Sequence, residues 1–174
     1  VADKPPVPAN APPVPTSNKD DLPMVSVIVI GRNRGSFLLQ ALQGTPSFSL
    51  DTAQEIGCCA DDTDDGVLAT GIREQSYPRE KLQVIIVDDA SDDEHTLHTL
   101  ATRVMLMVDE RAPLWRFVQN AVQIGDGASR NVGASLATGE YLVFVDDDNV
   151  PKSHMVRSLV DGIRTSGFDA LTCM

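Results

Sequence analysis

Three consecutive aspartates, Asp146, Asp147 and Asp148, follow the apolar run at 141–145 in the stretch EYLVFVDDDNVP. Adjacent carboxylates repel one another, and the repulsion is relieved when a cation lies between them. If the extended backbone continues through the acids, side chains alternate with period two, so Asp146 and Asp148 share one face and Asp147 takes the other. Such a D-x-D pair of hard oxygen donors selects magnesium, manganese or calcium over zinc. The competing reading is a solvated acidic turn after a strand. A second acid pair, Asp88 and Asp89, closes the run QVIIV at 83–87. Either carboxylate could accept hydrogen bonds from a base or ribose in a half-buried crevice, or cap the next turn. Arg32, Arg34 and Arg130 add guanidinium groups, which fork onto phosphate oxygens and stack on rings. Acid at two strand ends with arginine at another suits a metal-bridged pyrophosphate. There the cation neutralises charge that grows on a leaving nucleoside diphosphate.

Several elements must bring these groups together. MVSVIVI at 24–30 is β-branched and apolar and runs into Gly31, Arg32, Asn33, Arg34 and Gly35, which predicts a first strand and a turn. A helix over 36–43 follows, with Asn33 or Ser36 as its cap and its free amides facing the strand's carboxyl end. The strand at 83–87 precedes a helix over 94–107 capped by Asp92 or Asp93, on which His95 and His98 read as solvated surface groups. LWRFV at 114–118 is a third strand, and a glycine-rich segment leads into a helix over 128–137 whose small residues let it lie close to a sheet. The run at 141–145 reads as a central strand covered on both faces, followed by a helix over 151–166 and a fifth strand beginning at 168–174. This alternation predicts an α/β fold with three layers and a mostly parallel sheet, and ligands gather beyond the carboxyl ends of such strands.

Two stretches stand apart. Residues 1–23 hold seven of the eleven prolines and read as an extended linker or tail. Residues 44–66 lack periodicity and carry Cys58, Cys59 and the acid run DDTDD. We read them as an inserted surface loop, without the alternating ligands of an EF-hand. A helix is expected to resume over 67–75, and the remaining 24–174 form one domain.

A chain of 174 residues with 42% hydrophobic composition buries a substantial core. Its net charge of −11 argues against nucleic acid or an anionic membrane surface as the main partner. The three cysteines form no spaced framework or zinc pattern, which points to a reduced, cytoplasmic setting. No apolar run approaches the ~18 residues of a membrane span. The first residue is Val1, so both ends are expected to be cut from a longer parent, through which membrane association could still arise.

Taken in order, MVSVIVIGRNR, IREQSYP, LQVIIVDDASDD and GASRNVGASLATGEYLVFVDDDN resemble the nucleotide-binding half of glycosyltransferase family 2, with its GT-A fold. The resemblance runs over 25–174, interrupted by the insertion. It implies a nucleotide site made by Ile30, Arg32, Asn33, Asp88, Asp89, Arg130, Asp146 and Asp147. The base-contacting carboxylate falls on Asp89, and the metal pair falls on Asp146 and Asp148, with Asp148 the more direct ligand. Arg32 stands where the family commonly has an aromatic residue, and Ser129-Arg130-Asn131 matches its alanine-arginine-asparagine helix start. The implied activity is metal-dependent, inverting transfer of a sugar from a nucleotide-diphosphate donor, a UDP-sugar being favoured, with Mn2+ or Mg2+ as cofactor. The acceptor, a glycan, lipid or protein, and the catalytic base belong to the half that lies beyond this stretch in the family.

Three other readings compete. A response-regulator receiver shares an acidic pair and a later strand-end aspartate, but no lysine follows Lys152. A binding-only fragment would hold a nucleotide sugar without turnover. A dinucleotide-binding dehydrogenase lacks support, because no G-x-G-x-x-G follows the first strand.

Overall fold

The structure, a computed structural model, describes residues 21–44 and 71–172. Strand β1 (Val25–Gly31) pairs in parallel with β2 (Leu82–Asp88) on one side and with β4 (Tyr141–Asp146) on the other. Strand β3 (Trp115–Gln119) lies outside β2, giving the order β3-β2-β1-β4. The chain builds outward from β1 to β3 and then returns to the far side of β1. This reversal makes a topological switch point between β1 and β4, the place where open α/β sheets bind ligands. A receiver needs its third strand beside its first, so the observed order excludes that fold.

The continuous apolar runs follow from burial on both faces. Every residue of β2 is buried, as is β1 up to Gly31, and each Val or Ile so placed contributes about 1.5–3 kcal/mol over an exposed one. On one face Val27, Val29, Val84 and Ile86 pack beneath α1 (Gly35–Gln43), α5 (Met155–Ser166) and a long helix. That long helix runs as α2 (Glu94–Thr99), a π-type turn (Leu100–Val104) and α3 (Met105–Arg111). On the other face Ile28, Ile30, Ile85 and Val87 pack against α4 (Asp126–Ser135). A Cβ on Gly133 of α4 would fall 2.5 Å from Ile28 Cγ2, so glycine permits this close approach. The three layers and parallel sheet agree with the expected fold class.

Several local expectations are corrected. Helix α4 crosses β1 and β2 and leaves β4 uncovered on that face, so Leu142 and Phe144 are exposed and β4 is not a doubly covered strand. The described part of the expected fifth strand, 168–172, forms no strand, and 71–74 is a turn where a helix was expected. Helix α5 begins at Met155, leaving Pro151 outside it. The long helix continues to Arg111; of the two expected caps it is Asp93 that serves, accepting from the Thr96 amide at 2.9 Å. Leu22, inside the proline-rich stretch, is buried in the core. Residues 1–20 of that stretch, the interior of the 44–66 insertion and all three cysteines lie outside the described residues.

Candidate functional site

The register places the strand ends in one plane: Ile30 lies beside Asp146 and Gly31 beside Asp88. Strand β4 stops at Asp146, whose carbonyl accepts from the Asn149 amide at 3.1 Å and closes a turn. The alternation therefore ends where the acids begin. Asp147 turns inward with its side chain 8% exposed, whereas Asp146 and Asp148 are 54% and 51% exposed. Gly31 makes room for this turn, because a Cβ there would lie 2.9 Å from Asp147 Oδ2.

Two arginines pair with the three acids. Arg34 Nη1 lies 3.3 Å from Asp147 Oδ1 and 3.2 Å from Asp148 Oδ2, and Arg130 Nη2 lies 2.6 Å from Asp146 Oδ1. Burial pushes the Asp147 carboxyl above its ordinary value; Arg34 opposes the rise, and Asp148 and Asp146 add to it. Together with Ile30, Gly31, Arg32 and Asp126, these groups line a cleft of about 320 Å³ between the ends of β1 and β4. The cleft thus lies at the switch point of the sheet.

Asp88 and Asp89 are placed differently, being 2% and 3% exposed and absent from the cleft lining. Asp88 accepts from the Ser91 amide at 3.0 Å, from the Ser91 hydroxyl and from Gln119 Nε2 at 2.9 Å, so it caps the turn after β2. Asp89 accepts from Asn120 Nδ2 at 2.8 Å and from the amides of Ile124 and Gly125 at 2.9 and 2.8 Å. Burial works against its charge, but the bonds from Ile124, Asn120, Gly125 and Ser129 outweigh it and hold the carboxyl below its ordinary range. Asp89 thereby anchors the loop that starts α4, and α4 carries Asp126 and Arg130 into the cleft.

Asn33 and Arg32 fasten the turn after β1 to the turn after β2. Asn33, at a positive φ of 55°, accepts from the Asp92 amide at 2.9 Å and donates to Asp92 Oδ1 at 2.6 Å. Arg32 donates to the Ala90 carbonyl and pairs with Asp92, both at 3.3 Å. Neither Asn33 nor Ser36 caps α1. Arg34 occupies that position without a side-chain cap, and the Gly35 amide donates to Thr96 Oγ1 at 2.9 Å.

The structure therefore brings Ile30, Arg32, Arg130, Asp146, Asp147 and Asp148 to one cleft, whose lining includes neither the exposed Asn33 nor the buried Asp88 and Asp89. Gly31, Asp126 and the loop residue Asn120 were not singled out from sequence. Asp126 and Arg130 stand four apart, a same-face spacing visible once the helix is started at 126.

Exposed carboxylates beside this cleft are hard oxygen donors, the kind that magnesium and manganese take. Among the described residues no group of three or more His, Cys, Asp or Glu is disposed to hold a metal ion alone.

The model of glycosyl transferase family 2 matches residues 68–173. The chain belongs to glycosyl transferase family 2. Glycosyltransferase GlyG of Streptococcus pneumoniae is 29% identical over 100 residues, 58% of this chain and 31% of that protein. An uncharacterized glycosyltransferase of Nostoc sp. is 34% identical over 86 residues, 49% of this chain and 24% of that protein. The chain thus spans about a third or less of the curated relatives' length. Among solved structures, the mannosyltransferase PcManGT of Pyrobaculum calidifontis, in complex with GDP-Man and Mn2+, superposes with a TM-score of 0.58 at 24% identity. That match covers 84% of this chain and 34% of the other. Residues 1–349 of S. aureus TarS, in complex with UDP-GlcNAc, give 0.53 at 21% identity over 81% of this chain and 31% of that one. These likenesses establish the GT-A fold for this family 2 chain. Among its described residues no helix is long and apolar enough to cross a membrane.

Proposed function

We propose that this chain is the donor-binding part of a glycosyltransferase that transfers a sugar from a nucleotide-diphosphate donor to an acceptor hydroxyl, with inversion and with a divalent cation. The observation that carries the reading is the convergence of Asp146, Asp147, Asp148, Arg34 and Arg130 in a cleft at the β1–β4 switch point. Asp148 and Asp146, the two exposed acids, are the residues that would hold Mn2+ or Mg2+. When bound, the cation supplies Lewis-acid stabilisation of the departing diphosphate. Arg130 binds diphosphate oxygens from the first turns of α4, and Asp147, held inward against Gly31, keeps the acidic turn in register. Asp89 and Asp88 act from behind the wall, fixing the loops that border the nucleotide. The family neighbours solved with GDP-Man and UDP-GlcNAc support a nucleotide sugar as donor, and we favour a UDP-sugar. The acceptor and the base that deprotonates it are assigned to no residue of this chain.

Titration calorimetry tests the reading directly. UDP is expected to bind at least about tenfold more tightly with Mn2+ than with chelator, a difference of about 1.4 kcal/mol, with GDP as the comparison nucleotide. Asp148→Ala should abolish that metal dependence. Equal UDP and GDP affinities with metal and with chelator would refute the proposal.

A further inference from the structure

Arg34 has an unusual position for a phosphate-binding group, because one of its nitrogens already bridges two carboxylates of the proposed metal turn. Nη1 is within 3.3 Å of Asp147 and 3.2 Å of Asp148. The backbone beneath it is fixed, since the Arg34 carbonyl accepts from the Leu38 amide at 3.0 Å in the first turn of α1. The side chain is 53% exposed, and the guanidinium lies 5.9 Å from the ring centre of Phe37, itself half exposed. It therefore has room to move and an aromatic face to move along. A guanidinium and a divalent cation on the one carboxylate of Asp148 repel each other, so each weakens the other's hold on it. Arg32 is engaged with Asp92 and Ala90; Arg130 stands on Asp146, the other proposed ligand, and Arg34 is the guanidinium on Asp148, the more direct of the two.

We propose that Arg34 is a built-in competitor for the metal: it holds Asp147 and Asp148 in the metal-free protein and is released toward the diphosphate when the cation binds. This rests on the reading of the cleft as a metal and diphosphate site. Cation binding alone then has to displace Arg34, whereas cation and nucleotide together give the displaced guanidinium a new anionic partner. Metal and nucleotide binding become mutually reinforcing, in the reciprocal sense that linkage requires. Arg34 is a positioning residue in this scheme.

The test is Mn2+ binding to the 174-residue chain, followed by the electron paramagnetic resonance signal of free Mn2+, with and without UDP. Arg34→Gln should bind Mn2+ alone about fivefold more tightly than the parent, the upper range for loss of a half-exposed ion pair. The factor by which UDP strengthens Mn2+ binding should shrink in this variant. Arg34→Lys, which keeps the cation, should stay within about twofold of the parent. A parent that binds Mn2+ with UDP, joined to an Arg34→Gln variant with unchanged or weaker Mn2+ affinity, would overturn the competitor role and leave the functional reading standing. An Arg34→Lys variant that binds Mn2+ as tightly as Arg34→Gln would also overturn it. A parent that takes up no Mn2+ even with UDP would remove the functional reading and this proposal together.

Discussion

Replacing Asp89 by asparagine probes the buried anchor of the β3–α4 loop. In the parent, one carboxylate oxygen accepts from Asn120 and Ile124 and the other from Gly125. An asparagine amide has one oxygen to offer. Whichever way it is turned, its NH2 group faces at least one of those donors, and at best the bond from Gly125 is lost. Asp89 is 3% exposed, so water does not replace the missing partner. Loss of a charge-assisted bond of this kind costs about 1.5–3 kcal/mol. With a urea dependence of about 2 kcal/mol per molar, the unfolding midpoint should fall by about 1 M. The buried Trp115, the chain's single tryptophan, provides the fluorescence signal. The effect also has a required pH dependence. The folded carboxyl lies below its ordinary value, and the unfolded value is about 3.9. Its contribution is therefore fully present above the unfolded value and is lost as pH falls through the folded one. The gap between parent and Asp89→Asn should accordingly be constant near neutrality and close in acid. Midpoints within about 0.2 M of each other at pH 7, or a gap that widens as pH falls, would refute the anchoring argument.

Two further outcomes follow from close approaches. Gly31→Ala places a Cβ 2.9 Å from Asp147 Oδ2, so that carboxylate must shift. Stability should drop by about 1 kcal/mol by urea unfolding, as overpacking of a tight contact does, and an unchanged midpoint would show that the turn is not held against β1. Gly44 and Gly71 abut one another, with the Ile72 amide bonded to the Ala41 carbonyl at 2.9 Å and the Arg73 amide to the Leu42 carbonyl at 2.8 Å. Replacing 45–70 by a short glycine-serine turn should therefore leave UDP and Mn2+ affinity within about twofold. A tenfold loss in a folded replacement would give that segment a part in the cleft, against its reading as a surface insertion.

The sequence alone determined the parallel α/β class and the acidic edge. Strands buried on both faces, β1 and β2, leave long β-branched runs, and the apolar runs of β2 and β4 empty into acids, Asp88 and Asp89 or Asp146 to Asp148. The ordered motifs also made family 2 legible, since no single one of them is specific but their succession is. What period and composition could not determine was where each acid points. The pleat argument set Asp146 and Asp148 on one side and Asp147 on the other, and their exposures follow that order, but a hydrogen-bonded turn after Asp146 and not a continued strand produces it. As a result Asp147 and Asp148 share Arg34, and Asp146 takes Arg130. The acids after β2 and those after β4, on either side of β1, both read in the sequence as facing a ligand. Tertiary packing separated them: the β3–α4 loop folds over β2 and consumes the oxygens of Asp89, whereas the β1–β4 edge stays open. The same holds for β4, whose apolar run reads as a central strand while Leu142 and Phe144 are exposed. Which face a helix covers depends on where its neighbours in the sheet lie, and α4 settles across β1 and β2 because Gly133 fits against Ile28. That packing depends on strand order, which local sequence does not encode.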